Sequence, residues 1–143
     1  MADVFAYDLG FTSPSGQQTS LGRLAIKREG ARVQSAFRFA ADYLSHQGLP
    51  DLCPIHLPAR EGTFPCLDGI HPVFEDMVPD VWGKGLLRKA YGLVPRDSIP
   101  AIYLGLVDDP VGALSVQGVA GNCPVQRRVP SPVLPIEETM QLS

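Results

Sequence analysis

The chain has 143 residues, of which 45% are hydrophobic and 19% charged, and its formal net charge at pH 7 is −3. This length and composition predict one globular domain with an apolar core and exclude a wholly disordered chain. The negative net charge gives no general attraction to nucleic acid, so we predict no direct nucleic-acid binding.

The sequence also indicates where the protein resides. No apolar run approaches the roughly 20 residues that cross a bilayer, and the first four residues lack the basic start of a secretory signal. Cys53, Cys66 and Cys123 are odd in number and scattered, which is typical of reduced thiols rather than a disulfide framework. We therefore predict a cytoplasmic protein with no membrane partner.

The first forty residues have the two-residue periodicity of antiparallel strands. Apolar side chains alternate over residues 5–11, and residues 13–16 (Ser-Pro-Ser-Gly) favour a turn. A second strand through Leu21, Leu24 and Ile26 should end at Gly30, and a third follows over residues 33–39. The pattern predicts a three-stranded meander.

Helix is predicted directly after Pro79. Asp80 can accept hydrogen bonds from the free N–H groups of the first turn, and Gly92 stands where a left-handed residue ends a helix. Asp80 also precedes Lys84 by four residues, the favourable orientation for an ion pair on a helix surface. At 3.6 residues per turn, one half of this helix is apolar: Trp82, Leu86, Leu87, Ala90 and Tyr91.

After this helix, a second one is predicted over residues 98–106, apolar nearly all the way round and hence buried. A turn at 108–110 should lead into a strand over 111–116. Repeated prolines then predict an extended tail. The expected fold class is α+β, a small antiparallel sheet packed with two or three helices. Residues 1–118 would form the domain and residues 119–143 the proline-rich tail or connector.

Catalytic patterns are missing from the sequence. Gly83-Lys84-Gly85 lies inside the predicted helix and lacks a third glycine at the spacing of a phosphate-binding loop. We therefore predict no catalytic residues and no cofactor.

Four potential metal ligands, Cys53, His56, Cys66 and His71, lie within nineteen positions. Cys53 and His56 are an odd number of residues apart in an extended segment, so their side chains should point to opposite faces. Buried cysteines with surface histidines are the favoured interpretation, and a metal-dependent enzyme is the least favoured alternative.

The only tryptophan, Trp82, is the best candidate for a functional residue. It borders the apolar half of the predicted helix, next to Lys89, while Lys84 and Arg88 lie on the other half. Tryptophan and arginine are the residues most often found at the energetic centre of protein interfaces. The alternatives are that Trp82 fills the core, as large aromatic residues usually do, and that the basic face is solvated surface. The predicted partner-binding set is Asp80, Trp82, Lys84, Arg88 and Lys89.

Several segments, in order, resemble the N-terminal domain of the HipA-type toxin kinases, over about residues 21–116. The most specific segment, residues 78–87 (VPDVWGKGLL), resembles the family's proline–acidic–x–tryptophan–glycine–basic pattern. Residues 104–114 (LGLVDDPVGAL) resemble a strand of the family that contains Val-Gly-Ala-Leu. Residues 21–24 (LGRL), residues 53–58 (CPIHLP), and Phe37 and Phe39 ahead of Tyr43-Leu44 also fit.

The resemblance implies a segment without catalytic residues that packs on the small lobe of a serine/threonine kinase. Full-length members of the family are toxins that phosphorylate an aminoacyl-tRNA synthetase and are restrained by a DNA-binding partner, HipB. In a three-part variant the N-terminal piece is a separate antitoxin, HipS, directed at a separate kinase, HipT. No kinase body follows in this sequence, so we expect an antitoxin-like module that restrains a separate HipA/HipT-type kinase. The alternative is the N-terminal fragment of a full-length kinase, since the tail resembles the family's connector into the kinase body.

Overall fold

A computed structural model describes residues 3–46, 50, 52–53, 56–107 and 112–124, except for the side chains of Val81 and Trp82. The strands are β1 (Asp3–Thr12), β2 (Gln18–Glu29), β3 (Arg32–Phe39), β4 (Phe64–Cys66) and β5 (Leu114–Gly121). The helices are α1 (Ala41–Ser45), α2 (Pro72–Glu75), α3 (Val81–Tyr91) and α4 (Pro100–Leu104), with a 3-10 turn at Pro95–Asp97.

The five strands form one antiparallel sheet in the order β4-β3-β2-β1-β5. The first three strands are a meander, as predicted, and β1 lies between β2 and the much later β5. The α+β fold class is therefore confirmed, with α3 as the single described helix of more than two turns. None of the helices in the described residues is long and apolar enough to cross a membrane.

One face of the sheet carries the core. The alternating side chains of β1 are fully or almost fully buried there, and so are Leu24 and Phe37 from the neighbouring strands. Three helices pack on this face. Tyr43 of α1 contacts the rings of Phe11 and Phe39, the Phe37 ring centroid lies 5.1 Å from that of Phe74 in α2, and β1 binds α4. In the last contact the Tyr7 hydroxyl donates a 2.6 Å hydrogen bond to the carbonyl of Ala101.

Two bulges bend the sheet at the same point of β1. Leu21 is the extra residue of β2 opposite Leu9 and Gly10, and Gln117 is the extra residue of β5 next to Leu9. A bulge re-aims the side chain of its extra residue. Here Leu21 is fully buried, and the Gln117 side chain lies over Gly10, where a Cβ atom would be only 2.1 Å from Gln117 Nε2. A larger residue at position 10 would therefore have to displace the Gln117 side chain.

A buried arginine joins one end of the β1–β2 hairpin to the helical side. Arg28 is 4% exposed, and its guanidinium donates to Asp3 at 2.8 and 3.1 Å, to Asp97 at 2.8 Å and to the carbonyl of Arg96 at 2.9 Å. Burial alone would lower the pKa of Arg28, but the bonds and charges of Asp3 and Asp97 outweigh burial, so the pKa is raised. The cation therefore ties the start of β1 and the end of β2 to the 3-10 turn.

Two element boundaries differ from the prediction. The predicted helix over 98–106 is shorter, Pro100–Leu104, because Pro100 occupies the first helical position, where its missing N–H costs nothing. The last strand is Leu114–Gly121 rather than 111–116, because its partners on β1 extend back to Phe5. The first residues of the predicted tail over 119–143 belong to β5, which ends at Gly121. The predicted turn at 108–110 and residues 125–143 lie outside the described residues, so the extended tail there stays a prediction.

Candidate functional site on helix α3

The ends of α3 are fixed by the two residues that the sequence indicated. Asp80 is extended and its Oδ1 accepts a 2.9 Å hydrogen bond from the Gly83 amide, while Gly92 has a φ of 61° and its amide donates to the Arg88 carbonyl. Both predicted caps are confirmed. Among the described residues Lys84 and Asp80 form no ion pair, and the Asp80 carboxylate instead caps the first turn. Asp80 thus acts on the helix end and positions the whole surface.

Two glycines inside α3 have different surroundings. A Cβ atom at Gly83 would lie 2.6 Å from Pro79 Cβ, so the first turn packs closely on the proline that precedes it. A Cβ atom at Gly85 would meet nothing within 4 Å. Gly83 is therefore needed for the helix entry, whereas Gly85 only weakens the helix, since glycine is a poor helix former.

A small apolar cluster attaches α3 to the rest of the domain. Its buried members are Leu93, Tyr103 and Leu106, and the helix contributes Leu87 and Tyr91, which are partly buried. Val78, just before the helix, packs against both this cluster and the main core. Among the described residues, the helix is therefore held along one side only.

The remaining apolar side of α3 is open. Leu86 is 50% exposed and Ala90 is also exposed, although both belong to the half predicted to be apolar. No α3 side chain that the structure describes is buried. Backbone positions 82, 86 and 90 follow at four-residue intervals and hence lie on one side of the helix. The side chain of Trp82 itself lies outside the described residues, and its predicted role is untested.

Of the basic side chains of α3, Lys89 borders this open side, whereas Lys84 and Arg88 lie on the other half of the helix. Arg88 and Lys89 are exposed and Lys84 is half-buried, and within the described part of the chain none of the three forms an ion pair. Arg88 and Lys89 lie in the last turn, where cations interact favourably with the helix dipole. We call Leu86, Ala90, Arg88 and Lys89 the α3 surface. The sequence had indicated the basic residues; the two exposed apolar ones were missed, although their spacing from Trp82 was a usable signal.

The four potential metal ligands do not converge. Within the described ranges, no group of three or more histidine, cysteine or acidic residues is arranged to hold a metal ion. His56 is exposed, whereas His71 is 5% exposed and its Nδ1 has no hydrogen-bond partner in the described structure. Burial lowers the pKa of His71 and is the largest influence on it. A hydrogen bond to the Pro65 backbone raises this pKa, and the charge of His56 lowers it further. His71 is thus a neutral side chain packed beside Phe74.

Comparison with known proteins gives one family. A family model described as the HipA N-terminal domain matches residues 15–117, which is more than half of the chain. The matched model is that of the N-terminal domain and not of the kinase domain. Neither a curated protein nor a solved structure matches the chain. The matched range includes the whole of α3 and its caps.

Proposed function

The chain belongs to the HipA N-terminal domain family, and from this premise we propose that it is a non-catalytic, antitoxin-like module that binds and restrains a separate HipA/HipT-type serine/threonine kinase. The α3 surface is the proposed contact, together with Trp82, Lys84 and the helix-capping Asp80. A HipB-like DNA-binding protein would be reached only through the kinase.

The observation that carries this proposal is the open side of α3. A half-exposed leucine and an exposed alanine lie beside Lys89, and Arg88 is exposed on the other half of the helix. Neither cation has a carboxylate partner among the described residues. An apolar centre with charged residues around it is the general arrangement of a protein interface, and tryptophan and arginine are enriched among the residues that contribute most to binding. The caps at Asp80 and Gly92 fix the helix before binding, which lowers the ordering cost of association.

The basic residues also define the partner surface. Arg88 and Lys89 fit a kinase surface that presents carboxylates or a phosphorylated loop, because a guanidinium binds both in a bidentate manner and an ammonium pairs with both as a point charge. Such charges mainly raise the association rate and its dependence on salt. The apolar residues would supply most of the affinity.

The test measures binding and kinase inhibition with purified components. The chain is titrated into the HipA-type kinase of the same cell by calorimetry, and autophosphorylation is followed in parallel. We expect Leu86→Asp and Trp82→Ala each to weaken binding by about thirtyfold or more, the loss typical of an interface hot spot of 2 kcal/mol. The matched control is Leu67→Asp, because Leu67 is also an exposed leucine, outside α3. Unchanged binding by folded Leu86→Asp and Trp82→Ala variants would remove α3 from the proposed contact.

A second candidate uses the same surface differently. In a full-length HipA-type kinase, the open side of α3 would face the kinase lobe of its own chain. Tagging the protein at its native locus and measuring its intact mass separates the two. A species of 143 residues that co-purifies with a separate kinase supports the antitoxin-like module. A much larger species that contains the kinase body supports the fragment.

A further inference from the structure

The face of the sheet that points away from the helices carries a row of alanines. Ala36, Ala25, Ala6 and Ala120 are direct register partners across β3, β2, β1 and β5. Neighbouring strands are about 4.8 Å apart, so the row is about 14 Å long. Small side chains at directly opposed positions leave a depression that crosses the strands.

The depression is a groove of about 470 Å³ with an almost wholly apolar lining. Its floor is the alanine row, in which Ala25 and Ala36 are accessible while Ala6 and Ala120 are buried. One wall includes Val4, which is 54% exposed, and the opposite wall is formed by Arg23 and Arg38. Thr63 is the single described lining residue that does not come from a strand of the sheet. No described helix covers this groove, in contrast to the opposite face.

The arginine wall carries more positive charge than its surroundings neutralise. Arg23 and Arg38 are direct register partners, and like charges at such positions destabilise a sheet. Asp8 pairs with Arg23 at 2.8 Å, whereas Arg38 donates to the uncharged Thr63 hydroxyl at 2.9 Å and has no carboxylate partner in the described residues. A carboxylate brought to Arg38 would relieve this repulsion.

The net charge of the whole face also favours a negatively charged partner. The outward-facing charged side chains of β1, β2 and β3 comprise four cations and two carboxylates: Arg23, Lys27, Arg32, Arg38, Asp8 and Glu29. The chain as a whole is acidic, with a net charge of −3, so this face is a local positive area. It therefore repels a second copy of the same face and attracts an acidic partner.

We propose that this groove binds an acidic amphipathic helix of a partner protein, with its small apolar side chains on the alanine floor and a carboxylate at Arg38. The floor of about 14 Å corresponds to between two and three helical turns. A groove across the strands presents side chains rather than unpaired backbone groups, which suits a helix and not an added strand. The site lies on the opposite side of the sheet from α3 and does not rest on the function proposed for that helix.

The test uses the full chain with ¹³C-labelled alanine methyl groups. The probes are two synthetic amphipathic helical peptides with the same alanine–leucine face, one with glutamates and the other with lysines on the polar face. We expect the glutamate peptide to shift the methyl signals of Ala6, Ala25, Ala36 and Ala120, and the lysine peptide to leave them unchanged. Arg38→Ala should lower the affinity for the glutamate peptide at least tenfold. Arg32→Ala, a change on the same face outside the groove lining, should not.

Other results would overturn the proposal. Floor methyl signals that respond to neither peptide, or equally to both, would exclude an acidic helix as the occupant. Signals that change when the chain alone is diluted would assign the groove to a second copy. Nuclear Overhauser contacts from the floor methyls to residues 125–143 in the chain alone would assign it to the chain's own C-terminal segment.

Discussion

Replacing Arg28 tests whether the buried guanidinium holds the domain together. Arg28→Met keeps most of the aliphatic volume but removes all four donated hydrogen bonds. Loss of one partner from a buried ion pair costs about 3–5 kcal/mol, since the other charge is left without compensation. The Asp97 side chain is only 17% exposed, so its carboxylate would be left mostly buried without a compensating cation. The Asp3 side chain is 33% exposed, so its carboxylate would be rehydrated. We therefore expect the lower end of that range, about 3 kcal/mol of unfolding free energy.

The measurement is urea unfolding followed by circular dichroism, with the m-value compared to establish that the two-state transition is retained. Arg32→Met is the matched control, because Arg32 is an exposed arginine at the start of the adjacent strand, and it should change stability by less than about 0.5 kcal/mol. Asp3→Asn should cost about 1 kcal/mol, since its pair is partly screened by solvent. A loss below about 1 kcal/mol for Arg28→Met would refute the reasoning, and a gain would mean that desolvation of the ions outweighs their bonds.

Two further predictions concern His71 and the glycines of α3. Because burial lowers the pKa of His71 below 6.5, the stability that it contributes is fully present above pH 6.5 and is lost as the pH falls through the lowered folded-state pKa. Urea titrations on both sides of pH 6.5 should show that this group lowers the unfolding free energy by at most about 1.4 kcal/mol for each pH unit of acidification. His71→Gln should reduce this dependence of the unfolding free energy on pH, and an equal dependence in the variant would contradict this account. Gly85→Ala should raise the unfolding free energy by up to about 1 kcal/mol and Gly83→Ala should lower it, because only the latter Cβ atom meets Pro79, at 2.6 Å. Thermal unfolding of the two variants compares them directly, and a shift of the same sign in both would be inconsistent with the packing of Gly83.

The parts of the fold that depend on local sequence were predictable. Asp80 and Gly92 mark the ends of α3 because capping involves only neighbouring backbone groups. The meander was predicted because one face of each strand is apolar. The bounds of β5 depend instead on pairing with β1, more than a hundred residues earlier, and Gly118 and the bulged Gln117 interrupt its alternation.

The surfaces were harder to predict than the elements. Each of Ala6, Ala25 and Ala36 is an ordinary outward-facing residue of its strand, and only the register places them in one row. The same holds for Arg28, whose burial follows from Asp97 arriving from a distant turn. On α3 the periodicity gives an apolar half, but the sequence does not say that the supporting cluster reaches only Leu87 and Tyr91.

The place of β5 beside β1 has a consequence for synthesis on the ribosome. The meander and all of α3 leave the ribosome before Leu114. The edge of β1 that later pairs with β5 therefore stays unpaired until β5 has been translated. An open edge of this kind recruits other strands and is a route to aggregation. Nascent chains released before Leu114 should therefore go to chaperones and proteases, so that the amount of functional protein depends on translation reaching Gly121.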